Sequence, residues 1–377
     1  MAVPLARRIL VYEWRRFLPA TISVAFSGVL MIVQGALLLG IVSANALYVT
    51  QSGADLWIGF PGTQSADLGR AIDPGIAANL YMDPRIARVE ALLLGAGDWR
   101  GARGGGTSVT LVGIDPRPDG VGLSKAMSPP VRVLLQEPGA VLVDETDLDK
   151  LATDIGQKAE INGHLVRVVG TTRNLRAMGG VNVVASLGTA RMLDSAISAS
   201  DSVTYYLAKV PEPRNISAVH AHLSSIPGSA GFEIWTAGEL AGLSVRYWLL
   251  ESGAGIGFVF ATVIAMLVGT LITSQTLMAA VAASITQYAT LRALGVSFPE
   301  LRKIVIEQSG WVGAVGLGMG LVCSLLAAAL ARLNDIPFEL RAGMMLFSAA
   351  VVLSVALVAG LLALRRLRHA DPAALLR

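Results

Sequence analysis

The residues best able to do chemistry in this chain are few and scattered. His220 and His222 stand two apart in "NISAVHAHLSSIP" (215–227), which reads as a helix ended by Pro227. Residues two apart lie on different helix faces, so these are read as surface histidines. Asp144, Glu145, Asp147 and Asp149 form an acidic knot after the apolar run "AVLVDE". Such a knot is either a cation site or a solvated turn from strand to helix. "GARGGGT" (101–107) is a flexible loop: no Lys-Ser/Thr follows it and no helix opens after it. The chain contains neither G-x-x-x-x-G-K-[ST] nor H-E-x-x-H, so it lacks both a P-loop and a zincin helix. No Ser-His-Asp arrangement follows from the spacing, and a membrane-anchored enzyme has no candidate constellation here.

The elements that would have to position chemistry are mostly membrane helices. Of 377 residues, 53% are hydrophobic and only 15% are charged, where a soluble domain carries roughly 25%. Four uncharged runs are long enough to cross about 30 Å of hydrocarbon: Phe17 to Ala54, Ser252 to Leu291, Gln308 to Ala331, and Ala342 to Leu364. The first two exceed one crossing, which suggests helices projecting beyond the bilayer, one outward and one inward. No Asp, Glu, Lys or Arg lies at mid-depth, where a proton- or ion-coupled transporter usually needs one. Glu307 comes nearest, four residues after Lys303, and reads as half of a helix-surface pair.

Lys and Arg near span ends stay cytoplasmic. Arg7, Arg8, Arg15 and Arg16 precede span one; Arg292, Arg302 and Lys303 sit between spans two and three; Arg365, Arg366, Arg368 and Arg377 follow span four. Four crossings place all three groups, and both termini, inside. Residues 45–250 hold 17 basic and 20 acidic residues, so the overall +3 hides a domain near −3 and a remainder near +6. That charge belongs to the inner membrane face and does not suggest nucleic acid. The fold expected is a polytopic α-helical membrane protein with four transmembrane helices and one α+β extracytoplasmic (periplasmic) domain between the first two.

The order is an amphipathic N-terminal segment (1–18), span one (19–44), the exported domain (45–250) and span two (251–281). An inner corner (282–306), span three (307–332), a short outer loop (333–343), span four (344–364) and an inner tail (365–377) follow. Pro19 is expected to turn the amphipathic segment into the bilayer. "SANA" (43–46) mimics a signal-peptide cleavage site, but the apolar run before it is too long for an h-region. The single cysteine, Cys323, lies in span three, so the exported domain relies on its own core without disulfides.

Within that domain strands are expected at 54–60, 108–115, 140–145, 181–186 and 202–210. A hairpin turning at Asn162-Gly163 is expected within 158–170, and a strand leads to a helix at 232–240. Gly253, Gly257 and Gly269 in span two, and Gly316 and Gly320 in span three, permit close helix approach. They serve either packing within the chain or a homodimer seam.

The corner is the most structured inner element. In "SITQYATLRALGVSFPELRKI" (284–304) a helix leaves span two through Tyr288 and Leu291 to Arg292 and Leu294. Gly295 permits a turn, and Ser297, Pro299 and Glu300 start the next helix. Such a helix-turn-helix, fixed to spans at both ends, transmits a displacement rather than absorbing it.

"YATLRALGVSFPELRKIVIEQS" resembles the cytoplasmic coupling loop of the FtsX/MacB superfamily of ABC-transporter permeases. "RYWLLESGAGIGFVFATVIAMLVGTLITSQTLMAAV" is similar, more narrowly, to the DevC type, the permease of a glycolipid exporter. The tail "RRLRHADPAALLR", and "ADLWI", "LVGIDP" and "VLVDE" in the domain, match comparable family segments. The resemblance implies a homodimer in the bacterial inner membrane driven by separate ABC ATPase subunits, which hold the ATP and magnesium, so that this chain needs no cofactor and is no enzyme. It implies that Gln287, Tyr288, Leu291, Arg292, Leu294 and Gly295 face the ATPase. A periplasmic adaptor (membrane-fusion protein), an outer-membrane channel and a lipid-like cargo complete the picture. Relatives usually carry Glu where this chain has Gln287, which weakens a charge-specific role for that position. The alternative is an FtsX-like signal transmitter that activates a periplasmic cell-wall hydrolase.

Overall fold

The computed structural model describes residues 12–101, 104, 106–175, 180–198, 202–225, 231–333 and 338–368. The amphipathic segment before Tyr12, the tail after Arg368, much of "GARGGGT" and part of the outer loop lie outside these residues. The chain forms two compact units, residues 41–255 and residues 1–40 with 256–377.

The second of these is built on four long helices: TM1 (Trp14–Asn45), TM2 (Gly253–Ala283), TM3 (Phe298–Leu333) and TM4 (Ala342–Arg368). Each is long and apolar enough to cross a membrane. TM1 begins at Trp14 with Pro19 inside it, on an exposed side, so within the described residues the chain does not turn at Pro19. The two over-long apolar runs are not single projecting helices. TM1 ends at Asn45 and a short helix, Leu47–Gln51, follows; TM2 ends at Ala283, and Ser284 separates it from the helix Ile285–Ala293. Hydropathy does not see such breaks, because the interrupting Ala46 and Ser284 are uncharged.

The inserted domain is a mixed nine-stranded sheet among the described residues. Its strands are β1 (Leu56–Gly59), β2 (Arg88–Arg100), β3 (Gly106–Ile114), β4 (Ala140–Asp144), β5 (Lys158–Ile161), β6 (His164–Thr172), β7 (Val181–Ser186), β8 (Tyr205–Lys209) and β9 (Glu233–Thr236). β2 organises the rest. Its first half pairs with β8, and its second half pairs with β3 on one side and β5 on the other. Since β3 pairs β7, β7 pairs β4, β4 pairs β6 and β6 pairs β5, the sheet closes on itself through β2. Closure removes edges that would otherwise template aggregation. The pairs β3–β7 and β4–β6 are parallel.

Burial on both faces explains the sequence of β4. Ala140, Val141, Leu142, Val143 and Asp144 are all buried, so an uninterrupted apolar run replaces alternation. Val141 and Val143 join one core cluster and Leu142 the other. The β5–β6 hairpin turns where expected: Asn162 (φ 50°) and Gly163 (φ 84°) both take the left-handed conformation of a two-residue turn. The segments by which the chain enters and leaves the domain are built into its core. Leu47, Tyr48 and Val49 of the entry helix share a cluster with Leu240 of the exit helix, Ala237–Arg246. The Tyr48 hydroxyl donates to Asn182 of β7 at 2.8 Å, deep in the domain.

Candidate functional site

The corner between TM2 and TM3 is closed by three local devices. The helix Ile285–Ala293 ends in a Schellman motif: Gly295 N–H donates to the Arg292 carbonyl (3.0 Å) and Val296 N–H to the Leu291 carbonyl (3.1 Å). Gly295 carries φ +95°, a conformation that strains a side-chain-bearing residue. Two residues on, the Glu300 carboxylate accepts from the Ser297 N–H (3.0 Å) and hydroxyl (2.9 Å), satisfying a donor that the TM3 terminus leaves over. Between these ends lies a small apolar core of Val281, Tyr288, Leu301 and Val305, with Ile285, Leu291, Val296 and Phe298 against it.

This core sorts the predicted contact residues. Tyr288 is 1% exposed, and its hydroxyl donates to Gln308 Oε1 of TM3 at 2.6 Å. Burial pushes the phenol up to about 12, so it stays a protonated donor. Tyr288 braces the corner from within. Leu291 packs on the same core, and Gln287 turns its amide to Glu13 at the start of TM1. Arg292 is exposed, and Leu294 is 77% exposed, a large apolar side chain at the tip of the turn. The outward surface is thus Arg292, Leu294 and Gly295, and the other three hold it in shape. Sequence reading did not find Glu13 or Gln308, because neither lies within the corner segment and no spacing rule reaches across separate helices.

The glycines divide as well. A Cβ on Gly316 would stand 2.6 Å from Val24 Cγ1 and 2.9 Å from the Thr21 carbonyl oxygen; one on Gly320 would stand 2.9 Å from the Ala25 carbonyl oxygen. Gly269 lies against Ser27, whose hydroxyl donates to the Gly269 carbonyl at 2.9 Å. These three let TM1 pack on TM2 and TM3 within the chain. Gly253 and Gly257 meet no atom within 4 Å. Gly316→Val therefore lowers stability by about 1–3 kcal/mol through overpacking, whereas Gly257→Val stays within roughly 0.5 kcal/mol. Thermal unfolding of the two purified variants in detergent measures the difference.

Of the remaining candidates, His220 and Asp144 are bonded within the fold. His220 Nε2 hydrogen-bonds the Ile234 carbonyl of β9 at 3.0 Å. In the acidic knot, Asp144 accepts from Thr146 N–H (3.1 Å), Thr146 hydroxyl (2.8 Å) and Leu175 N–H (2.9 Å). Those bonds make Asp144 the brace of a turn. Among the described residues no group of three or more His, Cys, Asp or Glu is placed to hold a metal ion.

Two family models match the chain: the FtsX-like permease C-terminal model over residues 259–372, and the MacB-like periplasmic core domain over residues 20–226. No curated protein matches it. Among solved structures, the chain is similar to the periplasmic region of MacB from Actinobacillus actinomycetemcomitans (16% identity, 50% of this chain and 92% of that one, TM-score 0.37). It is also similar to the extracellular domain of the ABC-type transporter YknZ from Gram-positive bacteria (13% identity, 48% and 99%, TM-score 0.34). Scores this low add nothing to the two sequence models, of which the second alone spans more than half of the chain. By those matches, and with four membrane-length helices around an inserted mixed α/β domain, the chain belongs to the FtsX/MacB superfamily of ABC-transporter permeases.

Proposed function

We propose that the chain is the permease subunit of a mechanotransmission ABC transporter, coupling ATP hydrolysis in a separate ATPase subunit to export or extraction of a lipid-like amphiphile. The observation that carries this reading is the corner: a capped, core-filled turn presenting Leu294 and Arg292 outward. An exposed leucine on a stiff turn suits a pocket on a partner, since a few well-seated anchors dominate protein interfaces. In this reading the protein is a homodimer in the bacterial inner membrane with both termini cytoplasmic. ATP and magnesium are bound by the ATPase and not by this chain. A periplasmic adaptor and an outer-membrane channel extend the path, as the DevC resemblance suggests.

The test is affinity purification of the full chain in mild detergent, with mass spectrometry of the proteins and lipids that accompany it. An ABC ATPase, an adaptor and an enriched lipid are expected. Recovery of a cell-wall hydrolase without an adaptor would move the reading to FtsX-like signalling. ATP hydrolysis by the chain alone would overturn it.

A further inference from the structure

The corner helix is held at a third point that its own sequence does not announce. Gln287 Nε2 donates to Glu13 Oε1, and Arg16 Nη1 donates to Glu13 Oε2 at 2.8 Å. Glu13 immediately precedes TM1, and its side chain is only 27% exposed, with that of Arg16 at 35%. The next residue along, Tyr288, is bound to Gln308 of TM3. The corner helix therefore continues TM2 through the backbone, grips TM3 through Tyr288, and grips TM1 through Gln287.

We propose that Glu13 and Gln287 form a latch that delivers displacement of the corner to TM1 as well as TM2. TM1 and TM2 are the two helices by which the chain enters and leaves the inserted domain, so a latched corner drives both attachments together. Apolar packing already sets TM1 beside TM2, since Phe17 and Ala20 share a cluster with Leu277 and Ala280. Farther along the helices, the Ser27 hydroxyl on the Gly269 carbonyl (2.9 Å) also joins TM1 to TM2. The charge-assisted hydrogen bond is the directional contact that ties TM1 to the corner helix itself. The contact also accounts for the amide at 287. A glutamate there would replace this hydrogen bond with a second carboxylate facing Glu13, a repulsion that Arg16, bonded to the other oxygen of Glu13, offsets only in part. Gln287 and Glu13 are thus positioning residues, acting through the helices they join.

The inference rests on the coupling function proposed above, and its test separates the two. The complex of the permease with its ATPase is purified as parent, as Gln287→Glu, and as the exchanged pair Glu13→Gln with Gln287→Glu. The single variant should retain the ATPase and its melting temperature but lose stimulated hydrolysis by about tenfold, and the exchange should restore it to within about twofold. A purely structural role would instead lower the melting temperature along with activity. In a Cys323→Ser background, Glu13→Cys with Gln287→Cys should be joined by a short bismethanethiosulfonate reagent within one chain. Full stimulation in Gln287→Glu, failure of the exchange to restore it, or absence of the cross-link overturns the latch alone. A parent chain that brings down no ATPase overturns the coupling reading and the latch's role in it, whatever the cross-link shows.

Discussion

Leu294→Asp abolishes stimulation of the partner ATPase while leaving the permease folded. The leucine stands 77% exposed at the tip of the corner turn, so its loss removes little internal packing and changes the chain's own stability by about 0.5 kcal/mol or less. At a seated interface the same change buries a carboxylate without a partner. A hot-spot truncation costs about 2 kcal/mol or more, which is roughly a thirtyfold loss of affinity, and the added charge increases it. Arg292→Glu, two residues back and also exposed, reverses a charge beside the same turn and weakens coupling in the same direction. Leu291→Asp and Tyr288→Ala also abolish stimulation, but by a different route. Both residues belong to the corner core, so these variants fail in thermal unfolding as well as in coupling. The check is ATPase activity of the co-purified complex in lipid nanodiscs, beside the melting temperature of each permease. Leu294→Asp with normal stimulation places the docking surface elsewhere.

The sequence alone does not sort the six corner residues into inner and outer ones, and the reason is physical. The ends of the corner were legible because their signals are local: Gly295 for a left-handed residue, and Ser297 with Glu300 for a helix start. Its faces were not. In "ITQYATLRA" Ile285, Tyr288 and Ala289 fall on one helix stripe, but nothing local says whether that stripe meets TM3 or a partner; only the assembled helices show that Tyr288 points in and Leu294 out. The inserted domain repeats the pattern. The Asn162-Gly163 hairpin is a two-residue signal and was readable. β2 was not: "RVEALLLGAGDWR" interrupts its alternation with Glu90, Gly95 and Gly97. A Cβ on Gly97 would stand 2.7 Å from Ile161 Cγ2, so that glycine records the closure of the sheet. Glu90 marks a buried charge set between Arg88, two residues back, and Arg132, 42 residues away. Long-range contacts of this kind have no short-range signature.

That buried pair carries the second large effect. Glu90 is 3% and Arg132 2% exposed. Glu90 Oε2 accepts from the N–H groups of Val121 (2.8 Å) and Gly122 (3.1 Å), and the Arg132 guanidinium stands 3.7 Å away. Arg132 also donates to the carbonyls of Asp115 (2.9 Å) and Gly122 (2.5 Å). The loop 115–122 is wrapped around Glu90 and Arg132, with its own Asp119 paired to Arg88, and Gly120 lies so close to the Arg132 guanidinium that a Cβ there would clash with Nη2. Burial draws the Arg132 pKa down, yet arginine stays charged; its removal leaves Glu90 with Arg88 as its remaining cation, whose Nε lies against Glu90 Oε1 while Nη1 also pairs with Asp119. Arg132→Met should destabilise the domain by about 1–3 kcal/mol, because the Asp115 and Gly122 carbonyls lose their donor while Arg88 still pairs with Glu90, against a total of roughly 5–15 kcal/mol for a typical protein. Glu90→Gln combined with Arg132→Met should cost no more, because Arg88 keeps Asp119 as its partner and an amide oxygen at 90 can still accept from Val121 and Gly122. The damage does not stay in the loop. Gly53 N–H donates to the Val121 carbonyl (2.8 Å), Leu123 N–H to the Ser52 hydroxyl (3.0 Å), and Lys125 N–H to the Gln51 carbonyl (2.9 Å). Residues 51–53 are where the chain enters the domain after TM1, so loosening the loop loosens the attachment through which a displacement would arrive. In Arg132→Met, limited proteolysis should cut first within residues 115–125, and coupling should fall at temperatures where the domain is still largely folded. Cleavage confined to other loops, with coupling intact up to the unfolding midpoint, would show that the pair stabilises the domain without bearing on transmission.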